Sequence, residues 1–200
     1  MADISEITAN YQEQRNLLIS ANRASSVQLR QDLVHLTDTW LREVANTANI
    51  NNSRASLIAV GGYGRGDLCA ASDLDLLLLH HADEPIDSTL KLADALWYPI
   101  WDLGIALDHS VRDISQARRI ASTDLKVVLG LLDARTIAGD DELTQQLRSS
   151  VLADWRAAAR NRLPELFESV TQRRQRAGDL SHLLEPDLKE SYGGLRDFTV

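Results

Sequence analysis

The sequence predicts an α+β fold: a small mixed sheet with helices, and further helices flanking it at both ends. Three observations predict it. Two short apolar runs bounded by turn residues, 55–60 and 72–80, read as buried strands. Ahead of them Leu29, Leu33, Leu36, Trp40 and Val44 recur at helical spacing. Behind them residues 142–175 form a long helical stretch with Ala-rich, charged faces.

Taken in order, residues 5–22 read as a polar helix with Ile7, Tyr11 and Leu18 near one face, and 26–47 as a stronger one. A polar loop follows over 46–53. The first strand is 55–60, the second 72–80, with a glycine loop and one helical turn between them. In the second, Leu76 to Leu79 are weak strand formers, so that assignment rests on length and flanks. Asp87 or Ser88 caps the next helix, which runs to about Asp102, with Pro99 kinking it or ending its regular part. Trp97, Tyr98 and Trp101 form an aromatic cluster, read as core packing or as a base-stacking platform. Gly104 is a helix C-cap and 105–111 a third strand. Helices follow over 114–121 and 124–134. Pro164 divides the last stretch, with its first piece ending at Asn161 or Arg162. The expected units are N-terminal helices over 1–50, a core over 51–140, and a helical segment over 141–200 that begins a further helical domain.

Composition narrows the functions. The chain has 200 residues, enough for one real core, and its 44% apolar and 25% charged content is that of a soluble globular protein. Acidic residues outnumber basic ones 29 to 21, for a net charge of −8, which argues against a non-specific grip on nucleic acid. Cys69 is the sole cysteine, so neither a disulfide nor a cysteine-based zinc site forms within one chain. It reads as a small apolar filler rather than a nucleophile. No segment has the length of a membrane span or a signal peptide, which makes the cytoplasm the default.

The chemistry centres on Val60-Gly61-Gly62-Tyr63-Gly64-Arg65-Gly66-Asp67-Leu68, followed by Ser72-Asp73-Leu74-Asp75-Leu76. The glycines let backbone turn and approach a ligand closely. Amide groups exposed in such a turn can cradle phosphate. Asp73 and Asp75, two apart, share a face if both lie on a strand. Adjacent carboxylates repel, and a divalent cation shared with substrate phosphates is their natural partner. Rival motifs fit less well. Counting from Gly62 or Gly64, a dinucleotide fingerprint would find Asp67 or Cys69 where its third glycine belongs, and no Gly-Lys-Ser/Thr of a P-loop is present. A phosphatase-type Asp-x-Asp would follow its apolar run rather than precede it.

This pattern resembles the signature of the DNA polymerase β-type nucleotidyltransferases and, within them, the bacterial protein-PII uridylyltransferases. A second segment, Leu184-Glu185-Pro186-Asp187-Leu188-Lys189-Glu190 leading to Gly193-Gly194-Leu195-Arg196-Asp197, is similar to another signature of that family. The resemblance runs over roughly 28–200. It implies a polymerase β-type core that transfers a nucleoside monophosphate from UTP, or from ATP in some relatives, to a tyrosine of a PII nitrogen-regulatory protein, with magnesium. Asp73 and Asp75 would hold the metal, and Asp108 is the candidate third carboxylate, with Asp133 in reserve. Family members often carry glycine at 108 and glutamate at 106, where this chain has Asp108 and Ala106. His109 matches the family's His-Ser-Val-Arg and is either catalytic or satisfied by neighbouring backbone. Gly61, Gly62, Arg65, Ser72, Lys189 and Arg196 are the candidate nucleotide ligands. Asp133 and Arg135 reach the nucleotide or form a structural ion pair. Arg173, Arg174 and Arg176 form a solvated face or meet the triphosphate. In the family, phosphohydrolase and glutamine-sensing regions follow, which makes the chain a fragment of the transferase end. Two alternatives stand beside this reading: a polymerase β-type transferase acting on a small-molecule hydroxyl, and a nucleotide-sensing module without catalysis.

Overall fold

A computed structural model of the protein describes residues 3–21 and 26–198. The expected helix end at Asn22 and the end of the resemblance at Val200 lie outside those residues. The fold is α+β. Four strands, β1 (Ala55–Ala59), β2 (Leu74–His80), β3 (Leu107–Arg112) and β4 (Arg135–Gly139), form one mixed sheet in the order β3-β2-β1-β4. β1 pairs antiparallel with β2 and β4, and β2 pairs parallel with β3. The helices are α1 (Ile4–Ser20), α2 (Ser26–Thr47), the single turn α3 (Gly61–Gly64), α4 (Ile86–Asp102), α5 (Ile114–Ala121), α6 (Leu125–Leu132) and α7 (Asp141–Ala177).

Side chains alternate across a strand, and each face of this sheet has its own core. Leu57, Leu76 and Leu78 point one way, onto Trp40, Leu41 and Val44 of α2 and Leu96, Trp97 and Ile100 of α4. Ile58, Leu77 and Leu79 point the other way, onto Ala117 of α5, Val128 and Leu131 of α6, and Leu143, Leu147 and Val151 of α7. β1 and β2 are buried on both faces, which is why they read as unbroken apolar runs. Leu serves in β2 despite its modest strand propensity because burial on both sides outweighs that preference.

Several local expectations need correction. β2 begins at Leu74, so Asp73 lies just before the strand rather than on it. The fourth strand was not foreseen; its five residues bury only Ile137. α4 has Pro85 at its N-cap, and neither Asp87 nor Ser88 caps it; the Ser88 hydroxyl instead donates to the Pro85 carbonyl at 2.7 Å. Pro99 lies inside α4, which continues to Asp102, and Gly104 beyond it takes the left-handed conformation (φ +66°) of a terminating glycine. α7 runs unbroken through Pro164 over 37 residues. Its first half is held by Leu143, Leu147 and Val151 in the core, and Arg162 fastens it to the Ser122 carbonyl at 2.6 Å. These contacts outweigh the single backbone hydrogen bond a proline removes. Cys69 is exposed and fills no core.

The aromatic cluster splits. Trp97 is buried, while Tyr98 and Trp101 are 58% and 43% exposed and stack edge-on with each other, so one ring of the three belongs to the core. No helix among the described residues is long and apolar enough to cross a membrane.

Candidate active site

The site is built where β1 turns into α3 beside β2. Val60 closes the turn by donating its amide to the Asp75 carbonyl at 3.0 Å. Gly61 follows with φ +57°, and a side chain there would press to 3.0 Å from Asp75 Oδ2. Glycine is therefore required on two counts, conformation and room. α3 has no side-chain cap at Val60, so its first-turn amides lack the usual capping acceptor. Gly64 packs tighter still: a Cβ would fall 2.3 Å from the Asp133 carbonyl oxygen and 3.1 Å from that of Ala59.

Behind the turn lies a polar network that sequence reasoning missed. Tyr63 is buried, and its hydroxyl donates to Asp38 of α2 at 2.7 Å. Arg135 of β4 makes a two-pronged pair with the same carboxylate at 2.6 and 3.1 Å, and donates to the Gly64 carbonyl at 3.3 Å. Arg42 reaches Asp38 at 3.2 Å. Burial and the Asp38 charge hold the Tyr63 phenol well above its ordinary pKa, so it stays a donor. Arg15 donates to the Ala70 carbonyl at 2.5 Å and Arg30 pairs with Asp67 at 3.6 Å. The N-terminal helices thus brace the glycine loop from outside. Two cues were legible: Arg135, already a candidate for a structural ion pair, and an Asp at a helical position amid the apolar stripe of α2.

Asp75 and Asp108 are register partners on adjacent parallel strands and share one face of the sheet. Asp73 lies just before β2. Burial, then the charges of Asp73 and Asp108, raise the pKa of Asp75, and the ammonium groups of Lys126 and Lys189 pull it back down. Lys126, exposed on α6, carried no sequence signal; Lys189 comes from the C-terminal signature. Among the described residues no hydrogen bond or ion pair reaches the carboxylates of Asp73, Asp75 or Asp108. No three His, Cys, Asp or Glu side chains among them gather closely enough to form a metal cage by themselves. The chemistry of this donor set still suits magnesium, a cation usually held by one or two carboxylates together with substrate phosphates. A half-buried carboxylate pushed toward protonation by two others is what such a cation relieves.

The remaining candidates divide. Arg65 pairs with Asp133 at 2.5 Å and with Asp67 at 3.7 Å. Asp133 is the C-cap of α6, and its carboxylate is taken up by Arg65. Asp133 and Arg135 thus do not pair with each other: Asp133 is held by Arg65 and Arg135 by Asp38. The Ser72 hydroxyl accepts from the Cys69 amide at 3.0 Å and shapes the turn. Gly62 lies in α3 with only the Asp67 carbonyl and the Arg65 guanidinium near its missing side chain. His109 stacks against Trp97 and Trp101 on the opposite face of β3 from Asp108, away from the acids. Arg173 is neither solvated nor free for phosphate: it is buried and holds Asp197 at 2.5 Å. Arg174 lies over Tyr192 and also reaches Asp197, at 3.4 Å. Arg196 pairs with Glu190 at 2.6 Å.

Comparison with known proteins agrees with both signatures. The family model described as GlnD PII-uridylyltransferase matches residues 161–200. A bifunctional uridylyltransferase/uridylyl-removing enzyme of Streptomyces coelicolor is 54% identical over 95% of this chain, which spans 23% of that enzyme. The enzyme of the same description from Mycobacterium tuberculosis is 44% identical over 92% of this chain, again 23% of its own length. Among solved structures, a toxin–antitoxin crystal structure with AMP-PNP aligns over 64% of this chain and 97% of its own at 14% identity and a TM-score of 0.41, a likeness too distant to carry an argument. On the sequence matches, the chain belongs to the PII-uridylyltransferase family, of whose curated members it spans about a quarter of the length.

Proposed function

We propose that this chain transfers a nucleoside monophosphate, UMP or AMP, from UTP or ATP to a tyrosine hydroxyl of a PII nitrogen-regulatory protein and releases pyrophosphate. One observation carries the reading: Asp108 stands in register with Asp75, on one sheet face, beside a glycine turn that leaves no room for a side chain at Gly61 against the Asp75 carboxylate. The relatives' description as uridylyltransferases supports the same transfer. The deficit of positive charge argues against a nucleic-acid acceptor. We place the reaction in the cytoplasm, where nucleotide donors and a soluble acceptor meet.

The roles follow from position. The uncapped amides of α3 face incoming phosphate, and Asp38, Tyr63 and Arg135 hold that turn rigid from behind. Magnesium, held by Asp73 and Asp75 with Asp108 beside them, would offset the triphosphate charge and favour in-line displacement at the α-phosphorus. Asp108, exposed on edge strand β3, is open to an approaching acceptor and can take the tyrosine proton. The new bond joins the tyrosine oxygen to the α-phosphorus, and the bond to the pyrophosphate oxygen breaks. Lys189 and Lys126, whose charges act on Asp75, would supply positive charge for the departing pyrophosphate.

The test is label transfer. Protein, magnesium, purified PII and α-labelled UTP or ATP are incubated in parallel. Label should appear on a PII tyrosine from one donor and vanish with Asp73→Asn. Absence of transfer from either nucleotide, at protein concentrations where nucleotide binding saturates, overturns the proposal.

A further inference from the structure

β3 is the outer strand of the sheet, and its far side has no partner strand. The Ala106 carbonyl accepts the Leu74 amide at 2.9 Å, so Asp108, Ser110 and Arg112 turn their backbone groups to β2, while Leu107, His109 and Val111 turn theirs to the open edge. Among the described residues no hydrogen bond reaches the amides or carbonyls of those three. β3 keeps register with β2 from Leu107 to Arg112, with neither a bulge nor a proline to blunt it. An edge of that kind is a template for a further strand.

The two faces of β3 differ. Asp108 stands on the face it shares with Asp75. His109 stands on the other, where its ring lies 5.4 Å from that of Trp101, and Trp101 stacks edge-on with Tyr98 at 5.4 Å. Trp101 and Tyr98 are 43% and 58% exposed, a large ring area left in water beside an open strand. The opposite side of the site sets the direction of approach. The glycine turn follows β1 and leaves no room for a side chain against the Asp75 carboxylate, and β2 lies between β1 and β3. In-line displacement brings the nucleophile in opposite the leaving group. With pyrophosphate held at the glycine turn, the acceptor hydroxyl comes from the β3 side, across the open edge.

Resting on the transferase reading above, we propose that the open edge of β3 docks the acceptor protein: an extended, tyrosine-bearing segment adds to the four-stranded sheet beside β3, with its tyrosine opposite Asp108 and its neighbouring residues against Trp101 and Tyr98. Side chains of an added strand alternate in face. The tyrosine opposite Asp108 therefore points to the acids, and the residues before and after it point to the rings. Backbone hydrogen bonds to Leu107, His109 and Val111 supply affinity, and the rings select apolar side chains flanking the tyrosine. One extended segment thus sets both the reach of the hydroxyl and the choice of acceptor.

Two measurements test this. The first is amide hydrogen exchange, read residue by residue by mass spectrometry on the full chain with magnesium, UTP or ATP, and purified PII carrying phenylalanine in place of its acceptor tyrosine. Such a PII docks without turnover. The Leu107, His109 and Val111 amides should exchange at least several-fold more slowly, while those of Asp108, Ser110 and Arg112, already turned to β2, change little. Unchanged exchange at the three edge amides with PII in excess overturns the proposal, whether or not unaltered PII accepts label. Edge protection without label transfer would leave the docking edge standing and overturn the transferase reading alone. The second is kinetic. His109→Pro removes one outward amide, a change an edge strand tolerates. Tyr98→Ser combined with Trp101→Ser removes the exposed rings. Each variant should raise the KM for PII about ten-fold, the effect of one lost edge hydrogen bond or aromatic contact, with the KM for nucleotide unchanged. His109→Ala, which keeps the amide, should lose less than His109→Pro. A KM for PII unmoved in both variants, or a rise shared equally by the nucleotide, would overturn the docking edge. Should His109→Pro fail to fold, the ring variant and the exchange measurement carry the test.

Discussion

Replacing Asp75 with asparagine should stabilise the protein while removing its activity. Neighbouring strands lie about 4.8 Å apart, so carboxylates at paired positions on one face, Asp75 and Asp108, are separated by roughly 5 Å. Repulsion at that distance is about 0.8 kcal/mol with water-like screening and about 3 kcal/mol at an effective dielectric near 20. Asp75 is half-buried and Asp108 exposed, which puts the cost between these bounds, at about 1–2 kcal/mol. The Asn variant should therefore melt roughly 2–8 °C higher at pH 7 in a chain of this size. The pH dependence has a definite sign. Asp75 has a raised folded pKa, so the wild type is favoured at low pH and loses stability as pH rises through that value. The gap between the proteins should be full at pH 7 and close on acidification, starting above the range of an ordinary aspartate. Magnesium should raise the melting temperature of the wild type and leave the variant unmoved. The assay is calorimetry or circular dichroism across pH, with and without magnesium, beside label transfer. A variant no more stable than wild type at pH 7, or a gap that persists at low pH, would refute the repulsion argument. Near-wild-type transfer would refute the site.

Three further outcomes follow from the support around the site. Gly64→Ala forces a Cβ against the backbone carbonyl of Asp133, which cannot swing aside, and should cost about 1–3 kcal/mol by denaturant titration. Tyr63→Phe leaves the Asp38–Arg135 pair short of one donor and should cost about 1–2 kcal/mol, with a smaller loss of transfer than any acid variant. Asp140 caps α7, and its pKa is lowered chiefly by the hydrogen bond from the Leu143 amide. Asp140→Ala should cost about 1 kcal/mol at pH 7. That cost should be full above the unfolded carboxylate range, near about pH 3.9, and vanish as pH falls through the lowered folded value, as acid titration of both proteins would show.

The parts of this fold legible in the sequence are those whose signal is local. Both buried strands, the glycine turn and the amphipathic helix over 26–47 each repeat a short period or cluster one residue type, and the structure has them within a residue or two. What escaped was set by partners far along the chain. β4 is five residues with one buried side chain; it exists because Ile58, Leu57 and their neighbours in β1 present an unpaired edge, and Gly139, at φ +91°, lets it approach the Ala55 carbonyl. Pro164 signals a break locally, yet α7 passes through it, its first half held by the core and by the Arg162 bond to the Ser122 carbonyl. Arg173 looked like one charge in a solvated run, and only the return of Asp197 buries it.

The same division holds inside the candidate site. The motif residues that would touch nucleotide, Gly61, Asp73 and Asp75, fall within one short stretch of chain, because the chemistry needs them on one turn and one strand start. The residues that hold them there are not. Asp38 meets Arg135 from 97 positions away, and Tyr63 from 25. A buried carboxylate with one partner removed is left costly and unpaired. Each of the three thus depends on the other two, and no local pattern announces that they meet. Loss of Asp38 should accordingly loosen the glycine turn without altering any group that meets the substrate. Its signature would be a protein that still binds magnesium through its acids but holds nucleotide weakly, the reverse of what loss of Asp75 produces.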